Sequence, residues 1–178
     1  MNLNFLKART YKLKATSGFT LIELLIVIAI IAILAGVVFV SLNPLKRFQD
    51  ARNASRWTDI TAVLSAIKVD QVDNGGAYFG ALNAVPPTIY PARNYMIGTA
   101  VTGCNPATCS SGATTTDSCI NLAELSDQGY LARVPVSPSG AGTWDATLSG
   151  YYLTKNTNGS VTIGACESEG GGTITVNR

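Results

Sequence analysis

The chain has 178 residues, of which 47% are hydrophobic and 13% are charged. This composition excludes a disordered chain, because disordered chains have few apolar and many charged residues. The formal charge is +2 and histidine is absent, which argues against nucleic acid as the main partner and excludes the catalytic triads and zinc sites that depend on imidazole.

The first predicted segment, residues 1–18, is a basic leader. Its charged side chains are Lys7, Arg9, Lys12 and Lys14, and it contains no acid. Basic residues beside an apolar segment stay on the cytoplasmic side of a membrane, so this pattern indicates a targeting sequence. The rest of the chain holds more acids than bases, so the overall charge does not describe it.

An apolar block follows at residues 19–40 (FTLIELLIVIAIIAILAGVVFV), with Glu23 as its one charged residue. As a helix it would be about 33 Å long, enough to cross a hydrocarbon core of about 30 Å. A secretory signal peptide is a poor match, because its apolar region is shorter and ends in a small-residue cleavage site. A plain membrane anchor leaves Glu23 unexplained, since a lone carboxylate in lipid costs about 2–3 kcal/mol or more.

Residues 17–34 (SGFTLIELLIVIAIIAIL) closely resemble the N-terminal motif of type IV pilins and the related pseudopilins. The resemblance implies that a prepilin peptidase cuts after Gly18 and N-methylates the new first residue, Phe19. It also implies that Glu23 acts in assembly, where its carboxylate meets the terminal amine of Phe19 in a neighbouring subunit. Opposite charges attract more strongly in the low dielectric of a membrane or a filament core.

Local alternatives exist for two of these residues. Glu23 can bond only its own helix N-terminus, where free N–H groups and the helix dipole favour a carboxylate. Gly18 can be an ordinary residue at a helix entry, since glycine is tolerated at N-caps. The sequence leaves both alternatives open beside the roles that the resemblance implies.

The helix is divided into a transmembrane or filament-core part, residues 19–43, and an amphipathic continuation, residues 44–76. We expect an interruption at Asn43-Pro44, because proline removes a backbone donor and clashes one turn back. Gly36 is a further soft point. The run Asp73-Asn74-Gly75-Gly76 is expected to end the second helix, since glycine accepts the left-handed backbone found after a helix.

An apolar stripe on the second helix follows three- and four-residue steps: Trp57, Ile60, Leu64 and Ile67. We expect this stripe to pack on the domain's own sheet, with contact to another subunit as the alternative. The basic residues at positions 46–56 are expected on a solvated face or in ion pairs between subunits. Contact with lipid head groups or DNA is the weaker interpretation.

Residues 77–129 are predicted to form a variable loop region with one short helix, which begins at a capping box, Asn121-Leu-Ala-Glu124. Residues 130–178 are predicted to form an antiparallel sheet, with strands at 151–154, 161–165 and 173–176 and a hairpin turn at Asn158-Gly159. The fold class is therefore α+β: a long hydrophobic N-terminal helix continues into a small pilin-like head, where three or four antiparallel strands pack on the helix.

The four cysteines are Cys104, Cys109, Cys119 and Cys166, and none forms a C-x-x-C pair, which argues against a zinc or thioredoxin-like site. A head exported past the membrane meets oxidising conditions that favour disulfides. Of the three possible connectivities we expect Cys104–Cys109 and Cys119–Cys166. Free buried thiols are the alternative.

No pair of acidic residues has a spacing that indicates catalysis, so we expect no enzyme, no catalytic residue, no metal and no cofactor. Glu167 and Glu169, near several glycines, are the one candidate for calcium, which binds carboxylate oxygens. The resemblance to secretion pseudopilins makes such a site worth testing, but their aspartate-rich loop is missing here. We expect a turn with solvated acids instead.

The resemblance to type IV pilins therefore implies that the chain is the major pilin of a type IV pilus, with the partners and location that this family has. Its expected partners are other pilin subunits in a homopolymer, the prepilin peptidase and the ATP-driven assembly machinery. Its expected location is the inner (cytoplasmic) membrane as a single-pass precursor and then the extracellular filament. The alternatives are a type II secretion pseudopilin, a minor pilin in adhesion or DNA uptake and, outside the family, a monomeric membrane-anchored binding domain.

Overall fold

The computed structural model describes residues 18–85, 94–101, 109, 119–138 and 143–178. The leader up to residue 17, parts of the predicted loop region and Cys104 lie outside these ranges. The chain divides into two compact units, Met1–Asn43 and Pro44–Arg178. We describe each unit by itself.

The described part of the first unit is dominated by one helix, α1, at Leu21–Leu42. No residue of α1 is buried, and every leucine, isoleucine, valine and phenylalanine in it is at least 50% exposed. Gly36 lies within α1 without interrupting it. Among the described residues, one helical stretch, which begins at Leu21, is long and apolar enough to cross a membrane, with a mean hydropathy of 3.2.

The predicted interruption at Asn43-Pro44 is confirmed. Asn43 ends α1 with a φ of 40° in the left-handed region, and Pro44 is the first residue of the next helix, α2, at Pro44–Asp73. Asparagine tolerates the left-handed conformation better than most residues. Proline suits the first position of a helix, because its missing N–H has no helical partner there.

Helix α2 ends as predicted. Gly75 and Gly76 have φ values of 66° and 98°, and the N–H of Gly76 donates to the carbonyl of Gln71 at 2.7 Å. Two one- to two-turn helices occur later in the head, α3 at Gly80–Ala84 and α4 at Ala123–Asp127. The predicted capping box of α4 is wrong, because the Glu124 carboxylate accepts the N–H of Gly80 instead, at 3.1 Å.

The head contains a five-stranded sheet in the order β2-β1-β3-β4-β5. The strands are β1 at Tyr95–Gly98, β2 at Ile120–Asn121, β3 at Tyr151–Lys155, β4 at Val161–Ala165 and β5 at Thr175–Asn177. The α+β fold class is confirmed, and β3, β4 and β5 match the predicted strands. The sheet has two further strands and is mixed rather than purely antiparallel, because β1 and β2 pair in parallel.

The main hydrophobic core lies between α2 and one face of the sheet. Ile60 and Ile67 of α2 are fully buried there with Leu153 and Ile163 from the central strands. A second, smaller cluster contains Met96, Cys109, Trp144, Tyr152 and Cys166. The ring of Tyr152 lies so close to Gly164 that a Cβ on that residue would be 2.4 Å from the ring, so any larger residue at this point of β4 would force the ring to move.

The predicted disulfide pairing is wrong. The structure joins Cys109 to Cys166, with 4.4 Å between their Cα atoms, which excludes both the Cys104–Cys109 and the Cys119–Cys166 pairs. Cys119 is also disulfide-bonded, and no described cysteine is free. Cys166 directly follows β4 and packs in the smaller cluster beside Met96, with their sulfur atoms 3.7 Å apart. The bridge therefore fastens Cys109 to the residue that directly follows β4.

Candidate functional site

The N-terminus of α1 is closed by a capping box between Thr20 and Glu23. The Thr20 N–H and its hydroxyl both donate to Glu23 Oε2 at 2.8 Å, and the Glu23 N–H donates to Thr20 Oγ1 at 3.2 Å. These reciprocal bonds satisfy two backbone donors that a helix start leaves free. The local alternative for Glu23, a bond to its own helix N-terminus, is therefore what the single chain adopts.

The capped end leaves two groups open to another molecule. Glu23 Oε1 accepts no hydrogen bond from any described residue, because all the capping bonds use Oε2. Phe19 is 89% exposed, and Gly18 has nothing within 4 Å of the position that a Cβ would take. The bond between Gly18 and Phe19 thus lies just outside the helix, in accessible backbone.

The apolar stripe predicted on α2 divides between the inside and the outside of the head. Ile60, Leu64 and Ile67 are buried against the sheet, as expected. Trp57 instead remains 44% exposed. The prediction of packing on the domain's own sheet therefore holds for three of the four residues.

The outer face of α2 carries no charge over most of its length. Between Ala51 and Val72 every exposed residue is uncharged, whereas the charged side chains in this range are buried or partly buried. We call this surface the neutral face. Its members are Ala51, Ala54, Ser55, Trp57, Thr58, Thr61, Ala62, Ser65, Val69 and Val72. A solvated helix normally places charges outward, so this inverted arrangement marks a surface that can be desolvated at little cost.

Two arginines of α2 point into the head and hold the turn between β4 and β5. Arg52 Nε donates to Glu169 Oε1 at 2.6 Å, and its Nη2 pairs with Glu169 Oε2. Arg56, fully buried, donates to Glu169 Oε1 at 3.2 Å, to Ser137 Oγ at 3.1 Å and to the Pro138 carbonyl at 3.0 Å. We call this group the arginine clamp.

The arginine clamp corrects two sequence-based expectations. Arg56 is fully buried, and Arg52, which is partly exposed, pairs with Glu169 of its own chain, so neither is free for a neighbouring subunit. The Glu169 side chain is only 15% exposed, so the solvated turn is wrong for this residue. Its hydrogen bonds with Arg52 and Arg56 lower the pKa of the Glu169 carboxyl and occupy both oxygens that the calcium alternative requires.

Asn53 completes the attachment of this turn through the backbone. Its Nδ2 donates to the Glu169 carbonyl at 2.7 Å, and its Oδ1 accepts the Glu169 N–H at 3.1 Å. The sequence analysis missed the clamp because its partners are more than 100 positions apart. It also missed the role of Thr20, although the Thr-x-x-Glu spacing before an apolar run is a recognisable capping box.

An exposed apolar helix that begins just after an accessible Gly18–Phe19 bond, together with an α+β head, is typical of a prepilin-type protein. A family model of the prokaryotic N-terminal methylation motif matches residues 13–39. The chain is 32% identical to fimbrial protein Q of Moraxella bovis over 167 residues, which cover 93% of this chain and 88% of that protein. The chain belongs to the type IV pilin family, which is structural and not enzymatic. No solved structure matches it.

Proposed function

We propose that this chain is the major pilin of a type IV pilus. The observation that carries the proposal is the exposed surface of its helices: α1 is apolar on all sides, and the neutral face of α2 bears no charge. The exposed apolar surface of α1 is unfavourable in water, and the uncharged surface of α2 loses little on desolvation, so both indicate burial by a membrane or by other subunits. In the precursor α1 lies in the cytoplasmic membrane, and in the pilus both surfaces pack against other copies.

The proposed processing and assembly of the chain follow from its segments. Residues 1–18 are a leader that the prepilin peptidase removes after Gly18, and Phe19 is then N-methylated. Residues 19–43 form the transmembrane and filament-core helix, which residues 44–76 continue into the head. Residues 77–129 and 130–178 form the surface of the filament. The exposure of Phe19 and the open surroundings of Gly18 support cleavage at this bond.

We propose that Glu23 acts in two successive states. In the precursor it caps its own helix through Oε2, as described above, and this lowers the cost of holding a carboxylate in lipid. Cleavage creates a cationic amine at Phe19, and Glu23 then pairs with the amine of a neighbouring subunit. Glu23 Oε1 supports this step, because no described residue uses it. In a low dielectric such a pair fixes the axial register of one subunit on the next.

Packing of α1 helices does not drive extraction from the membrane by itself. Lipid tails are as apolar as the helix surface, so moving α1 from lipid into a filament core gains little hydrophobic free energy. The polymer therefore needs a machine that supplies work. We propose the ATP-driven pilus assembly machinery as this partner, together with the prepilin peptidase and a homopolymer of pilin subunits.

A pair of substitutions separates the two roles of Glu23. Glu23→Gln keeps the capping box, because glutamine serves equally at this position, but it removes the charge. Thr20→Val removes the capping hydroxyl and keeps the charge. We expect normal leader removal in both variants, a fall in filament yield of about tenfold or more only in Glu23→Gln, and near-normal filaments in Thr20→Val. Full filament yield from Glu23→Gln would contradict the intersubunit pair.

A type II secretion pseudopilin is the second candidate function. It is disfavoured by the arginine clamp, because the Glu169 carboxylate of the calcium-site candidate is already neutralised by the guanidinium groups of Arg52 and Arg56. A surface filament and a periplasmic one also differ in location. Filaments sheared from cells that carry the wild-type gene separate these functions, since a pseudopilin stays with the cell envelope.

A further inference from the structure

The chain contains two Asn-Gly pairs, Asn74-Gly75 and Asn158-Gly159, and the side-chain amides of the two asparagines make different hydrogen bonds. Both asparagines are exposed, and both glycines have a positive φ, 66° and 80°. An asparagine before glycine is open to attack by the next backbone nitrogen, because glycine offers no side-chain obstruction. What separates the two sites is the hydrogen bonding of each side-chain amide.

The Asn74 amide is held away from this reaction. Its Nδ2 donates to the Asp70 carbonyl at 3.0 Å and to Asp70 Oδ1 at 2.8 Å. Both acceptors lie one helical turn earlier, so the side chain is directed back along α2 and not toward Gly75. The nitrogen that would have to leave is therefore tied by two bonds, one of them to a carboxylate.

The Asn158 amide is held through its oxygen rather than through its nitrogen. Its Oδ1 accepts the Ser160 N–H at 3.0 Å and the Ser160 hydroxyl at 2.8 Å, while its Nδ2 makes no hydrogen bond within the described residues. Two donors on a carbonyl oxygen withdraw electrons from the carbon and stabilise the negative charge that develops when a nucleophile adds to it. Nothing lies within 4 Å of the Cβ position of Gly159, so the turn is open to solvent.

We propose that Asn158 is a site of spontaneous deamidation, with Ser160 serving as its oxyanion-stabilising residue. The Gly159 nitrogen leaves its bond to the Asn156 carbonyl, loses its proton to solvent base and bonds to Asn158 Cγ. The Cγ–Nδ2 bond breaks, and the nitrogen leaves as ammonia after taking a proton from water. Water then opens the cyclic imide at either carbonyl, which yields aspartate or isoaspartate without any oxidation or reduction.

The product changes a turn that anchors the end of α2. Tyr78 donates its hydroxyl to the Gly159 carbonyl at 2.6 Å, and its ring lies 5.4 Å from the Lys68 Nζ and 5.7 Å from the Lys155 Nζ. Deamidation adds a negative charge to the turn whose Gly159 carbonyl accepts this bond. Isoaspartate also lengthens the backbone of the hairpin by one methylene, so a long-lived protein would carry a covalent mark of its age here. This inference does not depend on the proposed function.

The test is peptide mapping by mass spectrometry after incubation of the full chain in detergent at mildly alkaline pH. We expect Asn158 to be converted at least about tenfold faster than Asn74, since each hydrogen bond at the two amides changes a rate by roughly two- to tenfold. In urea the two rates should become similar. Equal rates in the folded protein, or a glycan on Asn158, would overturn the proposal.

Variants at Ser160 test the proposed role of its side chain. Ser160→Ala should slow conversion of Asn158 by roughly two- to tenfold, and Ser160→Thr, which keeps the hydroxyl, should restore the rate. Conversion of Asn74 serves as the internal control for both variants, and an unchanged thermal melt shows that the head still folds. If Ser160→Ala converts as fast as the wild type, the side-chain role is wrong.

Discussion

Replacement of Arg56 tests how the head is held together. Arg56 is fully buried and its guanidinium bonds to Ser137, Pro138, Asn53 and Glu169. Methionine fills a similar volume but leaves these acceptors without a donor. Removal of one partner from a buried ion pair costs about 3–5 kcal/mol, which corresponds to a fall in melting temperature of roughly 10–15 °C for a head of this size.

Arg52→Met is the matched control for this prediction. The Arg52 side chain pairs with the same carboxylate but is 35% exposed, and solvent screens such pairs, so its loss should cost about 1 kcal/mol or less. Chemical denaturation of the full chain in detergent measures the free energy of unfolding of both variants. Hydrogen exchange then measures how well the turn between β4 and β5 is protected in each. If Arg56→Met costs no more than Arg52→Met, the clamp is not a buried structural element and the reasoning fails.

Three further predictions concern the head. Burial raises the pKa of Asp70, so the head loses stability as the pH rises above the unfolded pKa of this carboxyl, near 4. Asp70→Asn should therefore add about 1 kcal/mol to the free energy of unfolding at pH 7. A gain that persists unchanged below about pH 4 would contradict this cause. Replacing Cys109 and Cys166 by serine should cost about 4 kcal/mol for a sequence separation of 57, and a non-reduced digest should contain the Cys109–Cys166 peptide, not Cys119–Cys166. Calcium and a chelator should leave the melting temperature unchanged, because the Glu169 oxygens are occupied; stabilisation by calcium would refute this.

Features that depend on neighbouring residues were predictable from the sequence. The pilin-type motif has fixed local spacing, and the end of α1 at Asn43-Pro44 follows from the chemistry of one dipeptide. The hairpin around Asn158-Gly159 was predictable for the same reason, since glycine accepts the positive φ of 80° that Gly159 adopts in the turn. The α+β fold class followed once one long apolar helix and several short alternating strands had been located.

Features that depend on distant residues were not predictable. Arg52 and Arg56 look like part of a solvated basic patch until Glu169, more than 100 positions away, is placed beside them. Strand β2 has only two residues, so no alternating pattern reveals it. The spacing of four cysteines permits three pairings, and only the packing of Cys109 on the sheet selects its bond to Cys166.

The neutral face shows how the sequence pattern of α2 misleads. Its charged residues suggest an outer surface, yet from Ala51 to Val72 they point inward or lie at the edge, and the uncharged residues point outward. A helix that only covered its own sheet would show the reverse. This inversion is explained if α2 has a second packing partner, which is the proposed filament.

The most direct test of the account is mass spectrometry of filaments sheared from the surface of cells that express this chain. We predict that the chain is the most abundant protein of these filaments and that it begins with N-methylated Phe19. A chain that begins at Phe19 but stays with the cell envelope would contradict the major-pilin proposal and favour a pseudopilin or minor pilin. A chain that retains Met1 to Gly18 would contradict the proposed cleavage itself.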